Sequence, residues 1–286
     1  MKDLYISQMK DIQLLADFLF QLNQDSKHHV GNIRVTKQSI IDQLNNIDPE
    51  DMLQITESDE IIAAFGMEHI NETEANILGP ITTKTDKETL NMIDVMWQDF
   101  LRNHPSTTTY YFSFHEEHRF GQAVMKHLRT QYLGTTYTME AEENKTTAIA
   151  PQIIKYKPIY KKSFTRLMKD LQVDYKAKCE KILSTVGQSH ELYLYLNEGL
   201  VKACIWIQIN DDDVCNIEYL ATHPQYRNKG IGHELVSFAV DHAFNKHHAK
   251  RVQISVKSKR EKNIAFYEAI GFKKINEMNH FKYTLD

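Results

Sequence analysis

One succession of elements occurs twice in the 286 residues. In the second half, QIIKYKP reads as a short strand, and Tyr160–Leu171 and Tyr175–Val186 as helices. Three strands follow: ELYLYLNEG, LVKACIWIQIN and VCNIEYLAT, with turns at Asn197-Glu198-Gly199 and Asp211-Asp212-Asp213. A helix starts near Gly230, with Ile231, Leu235, Phe238, Ala239 and His242 on one face. RVQISVK then predicts a strand, NIAFYEAI a helix stopped by Gly271, and HFKYTLD a closing strand. The first half keeps this order. DLYIS precedes helices at Ile12–Leu22 and TKQSIIDQL, and strands MLQITES, IIAAFGMEHI and ANILGPIT come next. Helix Glu88–Leu101, strand TTTYYFSF, helix Phe120–Leu128 and strand TTYTMEA complete it. The interval from Ile62 to Ile77 is close to that from Val201 to Ile217. A tandem duplication accounts for this, and the length also favours two α/β cores over one.

The boundary is EENKTTAIAP, Glu142 to Pro151, which is polar, aperiodic and ends in a proline. The expected domains are therefore 1–145 and 151–286. Their charges differ. Residues 1–150 hold 12 Lys and Arg against 23 Asp and Glu, and residues 151–286 hold 22 against 15. The basic half suits a polyanion, and the acidic half suits a cation or its basic neighbour.

Several classes are excluded or disfavoured. No run of about 18 apolar residues would span a membrane, and MKDLYISQMKDIQ lacks the apolar core of a signal peptide. Cys179, Cys204 and Cys215 have no C-x-x-C spacing, so the expectation is reduced thiols, a cytoplasmic location and no metal. Hydrolase signatures of the G-x-S-x-G and H-E-x-x-H kinds are absent.

The sharpest local feature is HPQYRNKGIG, His223 to Gly232, between a strand and a helix. A loop feeding a helix N-terminus presents unpaired N–H groups and the positive end of the helix dipole, which suits a pyrophosphate. A Cβ at Gly230 or Gly232 would hold a phosphate off the backbone, and Arg227 and Lys229 add charge at the rim. The third glycine of a dinucleotide fingerprint and the G-K-[ST] of a P-loop are missing.

In context, YLATHPQYRNKGIGHELVSFAV resembles the acetyl-CoA-binding motif of GNAT N-acetyltransferases, whose core is [QR]-x-x-G-x-[GA]; Arg227, Gly230 and Gly232 supply it. One strand later, NIAFYEAIGF (Asn263 to Phe272) is similar to the family's second signature, N-x-A-x-x-[FY]-Y-x-x-x-G-F. The resemblance covers nearly all of residues 152–286. It implies two tandem GNAT-like α/β (α+β) domains, each a mixed, mostly antiparallel twisted sheet flanked by helices. It also implies that backbone groups of Leu220, Ala221 and Thr222 pair with the pantetheine arm of acetyl-CoA. The amides of Asn228, Lys229, Gly230, Ile231, Gly232 and His233 would hold the pyrophosphate, and Asn263 would contact the cofactor. Tyr267 stands where many members protonate the departing CoA thiolate. Arg260 lies where relatives place a second asparagine, in a basic run with Lys257, Lys259 and Lys262.

The reaction implied is acetyl transfer to a primary amine by direct attack, which needs a base. Glu218 is the candidate, since strand alternation would put it on the face of Leu220 and Thr222 among apolar neighbours, where its pKa would rise. His223 is the alternative. The first copy looks degenerate: ILGPITTKTDKETL replaces the glycine loop, and RFGQAVMKHLR lacks the Y-x-x-x-G-F signature. Partners would be a small-molecule or peptide amine, without membrane, with nucleic acid disfavoured and a homo-oligomer compatible. The rival reading is a catalytically inactive acyl-CoA-binding regulator.

Overall fold

The computed structural model describes residues 4–141, 151–171, 174–209 and 213–285. Residues 142–150 of the expected linker, and Asp211 and Asp212 of the expected turn, lie outside them. By contact the chain divides into Met1–Thr136 with Glu277–Asp286, and Tyr137–Asn276. Relative to a cut between 145 and 151, the last ten residues join the first unit and Tyr137–Ala141 join the second.

The first unit contains β1 (Leu4–Gln8), α1 (Ile12–Asn23), α2 (Lys37–Leu44), β2 (Met52–Glu57), β3 (Glu60–His69) and β4 (Glu74–Thr82). After them come α3 (Lys87–Asn103), β5 (Thr109–His115), α4 (Arg119–His127) and the start of β6 (Gln131–Ala141). The second unit holds β7 (Ile153–Lys155), α5 (Lys161–Leu171), α6 (Tyr175–Thr185), β8 (His190–Asn197), β9 (Leu200–Ile209) and β10 (Val214–Thr222). It continues with α7 (Ile231–His247), β11 (Arg251–Lys257), α8 (Glu261–Glu268) and the first residues of β12 (Phe272–Thr284). The closing strand thus begins directly after Gly271, well before HFKYTLD, and its second half pairs antiparallel with β5 from Met278 to Thr284.

The mixed, mostly antiparallel sheet expected for each half is present in both units. In the first, β1–β2, β2–β3 and β3–β4 are antiparallel and β4–β5 is parallel. In the second, β7–β8, β8–β9 and β9–β10 are antiparallel and β10–β11 is parallel. The hairpin turns match too. Ser58 and Asp59 join β2 to β3 at φ 51° and 67°, and Glu198 and Gly199 join β8 to β9 at 52° and 74°. Two positive φ values in a two-residue loop suit the right-handed strand twist.

In the first unit the core is built on Trp97, whose ring meets Tyr110 at 4.9 Å and Phe112 at 5.7 Å. In the second, α7 lays Leu235, Val236, Ala239 and Ala243 on one sheet face, and Phe164, Leu167 and Met168 of α5 cover another apolar cluster with Trp206. Deleting one such side chain, as in Leu235→Ala, typically costs about 2–5 kcal/mol. Among the described residues, no helix is long and apolar enough to cross a membrane.

Candidate active site

The site forms where two parallel strands part. β10 and β11 are in register only from Val214 with Arg251 to Asn216 with Gln253. β10 runs on to Thr222 paired with β9 on its other side, where Thr222 faces Ala203. Beside the fork, α7 starts at Ile231 with Gly230 as its N-cap, and no side chain caps it. The first turn closes with the Glu234 N–H donating to the Gly230 carbonyl at 3.0 Å. The amides ahead of it form an anion-seeking end.

The loop reaches this geometry through two left-handed residues, Asn228 at φ 60° and Gly230 at 81°. Pro224–Tyr226 forms a short 3-10 turn, and the Arg227 Nε donates to the Thr222 carbonyl at 3.1 Å. The two glycines differ in what they permit. A Cβ on Gly230 would meet nothing nearer than Glu234 Oε1 at 3.9 Å, so the backbone conformation is what requires glycine there. At Gly232 the φ is ordinary, and a Cβ would lie 3.4 Å from the Phe266 ring, beside the cleft.

A cleft of about 830 Å³ opens at the fork. Leu220, Ala221 and Thr222 line it from β10, and Arg227, Asn228 and Gly230 from the loop. Ile231, Gly232 and His233 line it from α7, and Asn263 and Tyr267 from α8. Of the basic run, Arg260 lines it, while Lys259 borders a different groove. Two expected residues do not line it: Lys229, whose Nζ stands 5.3 Å from the Tyr226 ring, and Glu218. Tyr219, Tyr226 and Phe266 line it without having been picked from the sequence. Phe266 is the aromatic that precedes Tyr267 in the second signature, which was the available signal.

Tyr267 is buried, and burial pushes its hydroxyl up to about 12 against a small lowering by Arg260. The phenol is therefore protonated throughout the neutral range.

Glu218 requires a correction. The β9–β10 register shifts between Ile217 and Tyr219, so Glu218 is the extra residue of a bulge. Alternation breaks there: Ile217 and Leu220 pack in one cluster, Tyr219 and Ala221 in the other. Glu218 is exposed rather than set among apolar side chains. Its charge acts on Lys178 and His190. Lys178 Nζ lies 4.8 Å from the Tyr219 ring and 5.4 Å from Trp206, and burial, with Lys181, holds its pKa below the ordinary lysine value. His223 is engaged otherwise: its Nδ1 accepts from the Gln225 N–H at 3.3 Å, and its Nε2 is 3.6 Å from Asp170.

The first unit has the same fork, filled by its own chain. β4 and β5 are in register only from Glu74 with Thr109 to Asn76 with Tyr111. Beyond that point, Asn32 Nδ2 donates to Ile77 O at 2.9 Å and to Tyr111 O at 3.1 Å, one carbonyl from each strand. The Gly31 N–H donates to Ser113 O at 2.9 Å, and Val30 bridges to Phe114. The N-terminus of α3, where α7 is uncapped, holds the Asp86 carboxylate, which accepts from the Thr89 N–H at 2.8 Å. That bond holds the Asp86 pKa below the usual carboxylate range.

Residues 155–272 match the family described as Acetyltransferase (GNAT) family. The chain's fold recurs in whole solved structures. A GCN5-related N-acetyltransferase from Sphaerobacter thermophilus superposes with TM-score 0.73 at 9% identity, over 98% of this chain and 95% of that one. A tandem GNAT protein from the clavulanic acid biosynthesis pathway gives 0.67 at 11%, over 99% and 98%. A GNAT-family acetyltransferase from Colwellia psychrerythraea gives 0.62 at 10%, over 98% and 100%. No curated protein matches the chain in sequence.

Proposed function

We propose that the second unit is an acetyl-CoA-dependent N-acetyltransferase acting on a primary amine. One observation carries this reading: the β10–β11 fork opens beside the uncapped α7 N-terminus, and a buried tyrosine lines the same cleft. The amides from Asn228 to His233 hold the pyrophosphate. The pantetheine arm takes the place of a strand in the fork, pairing with β10 at Leu220 and Ala221. Thr222 has its carbonyl already engaged by Arg227 and contributes less.

The amine attacks the acetyl carbonyl, and the carbon–sulfur bond of the tetrahedral adduct then breaks. Tyr267, kept protonated by burial, gives its proton to the leaving thiolate. The proton lost by the amine leaves through water, and Glu218, exposed beside Tyr219 on the bulge and outside the cleft lining, is the carboxylate that would receive it. The Tyr219 ring lines the cleft, with the Lys178 ammonium 4.8 Å from it. The first unit does not bind acetyl-CoA, because Asn32 and Asp86 occupy its fork and its helix N-terminus.

Calorimetric titration of acetyl-CoA into the wild type and a Gly230→Glu, Gly232→Glu variant tests this. One site per chain, lost in the variant, is expected. Two sites would contradict the account of the first unit, and none would sink the enzyme reading. Binding without turnover over a broad amine screen would instead leave an acyl-CoA-binding regulator.

A further inference from the structure

At the other end of α7, three ligand-type atoms converge that the acetyltransferase reading does not use. His242 and His247 reach from the last turns of α7, and Glu191 from the start of β8. His242 Nε2 is 2.8 Å from Glu191 Oε2, His247 Nε2 is 3.1 Å from the same oxygen, and the two nitrogens are 3.2 Å apart. Gly230 lies 12 residues back along the helix, about 18 Å at 1.5 Å per residue.

Hydrogen bonding alone leaves this arrangement crowded, with the Tyr193 hydroxyl and both imidazole nitrogens converging on Glu191 Oε2. An imidazole nitrogen carries either one N–H or one lone pair. For both contacts to the carboxylate oxygen to be attractive, both nitrogens must be protonated. The two N–H groups would then converge side by side on one oxygen, their nitrogens 3.2 Å apart. With one nitrogen bare, its lone pair faces the carboxylate. A cation at the centre resolves the conflict by taking both lone pairs and the carboxylate oxygen. The size is right as well: atoms at these separations lie on a circle of radius about 1.8 Å, so an ion about 2.0–2.1 Å from each sits roughly 1 Å out of their plane.

The surroundings fix the ligands. Phe238 stacks on the His242 ring at 5.5 Å and 18°, and the Tyr193 hydroxyl is 2.8 Å from Glu191 Oε2 and 2.7 Å from His242 Nε2. Lys155 pairs with the other oxygen, Oε1.

A second group of the same residue types supplies a contrast. In the first unit, Asp51 meets His104 through Oδ1 at 2.6 Å and His69 through Oδ2 at 3.4 Å. Each histidine there faces its own oxygen, so the two nitrogens do not compete for one atom, although Asp51 Oδ1 and His104 Nε2 are buried without a hydrogen-bond partner.

We propose that Glu191, His242 and His247 bind a divalent transition ion of the zinc class, tying the C-terminal end of α7 to β8. Two imidazoles and a carboxylate suit zinc, cobalt or nickel rather than magnesium or calcium. Tyr193 serves as the outer-shell hydrogen-bond partner.

The test uses the full chain without an added histidine tag, stripped with chelator and then titrated with Zn²⁺ and with Co²⁺. One zinc per chain is expected, with the intense visible absorption of four-coordinate cobalt. His247→Ala and Glu191→Gln should each weaken uptake by about tenfold or more. The wild-type cobalt spectrum decides the matter even if a variant misfolds: no stoichiometric uptake overturns the proposal. Undiminished uptake by a His242→Ala, His247→Ala variant overturns it too. So does uptake abolished by His69→Ala, His104→Ala, which would place the ion in the first unit.

Discussion

Replacing Gly232 by alanine should raise stability and lower cofactor affinity together. Gly232 is the second residue of α7 and has no positive φ, so glycine contributes only entropy cost there. The new methyl would sit 3.4 Å and 3.7 Å from two Phe266 ring carbons and 3.9 Å from Thr222 Oγ1, all contact distances. Nothing has to move, and the helix gains up to about 1 kcal/mol. The same methyl projects into the space beside the cleft where the pyrophosphate is placed. Losing one amide bond to a charged oxygen costs about 1.5–3 kcal/mol, which is a loss of affinity of roughly 10- to 150-fold. Gly230→Ala supplies the opposite signature, because φ 81° is unfavourable for an L-residue and costs about 1–2 kcal/mol. Thermal melts of the free proteins and calorimetry with acetyl-CoA measure the two quantities separately. If Gly232→Ala keeps or raises the melting temperature and binds acetyl-CoA as tightly as the wild type, the phosphate does not lie on these amides.

Tyr267→Phe should lower kcat by about 10²- to 10⁴-fold with little change in KM. With the wild-type hydroxyl near 12, the alkaline limb of kcat below that pH belongs to other groups; an unchanged kcat would remove Tyr267 from the chemistry. Glu218→Gln should lower kcat, and an unchanged kcat would point to a different base. Buried His118 is held at about 4, chiefly by burial, while its Nδ1 caps α4 at the Gly121 N–H. Its folded pKa lies below the unfolded value, so its contribution is present above pH 6.5 and is lost as pH falls towards 4, about 3 kcal/mol in full. Urea melts of wild type and His118→Asn, which keeps a cap, should therefore converge at acid pH; parallel pH profiles would contradict this. Asn32→Ala should destabilise the first unit by about 1–3 kcal/mol through unpaired carbonyls, measured by the same melts, without altering acetyl-CoA affinity.

The elements and the glycine loop were legible because their signals are local. A two-residue turn, an amphipathic helix and a G-x-G before a helix each declare themselves within a few positions. What escaped depends on partners far away in sequence. The bulge at Glu218 is a shift against β9, and without it the alternation rule put the carboxylate on the wrong face. Asn32 fills a fork made by residues 45 and 79 positions further on. His242 and His247 have no metal-motif spacing to each other, and their carboxylate comes from a strand about 50 residues earlier. Lys229 shows a different limit: spacing put it at the rim, and its ammonium stands 5.3 Å from the ring of Tyr226, which lines the cleft that Lys229 itself does not.

The division of the chain also sets an order of events during synthesis. β5 receives its antiparallel neighbour from Met278–Thr284, residues that leave the ribosome long after the rest of the first unit. At about 5–20 residues per second, the intervening 140 residues take roughly 7–30 s. During that interval the first unit waits with the β12-facing edge of β5 bare, while every residue of the second becomes available to fold. The first unit therefore completes its sheet only after the second has been synthesised, and a chaperone that guards strand edges has its longest opportunity at β5.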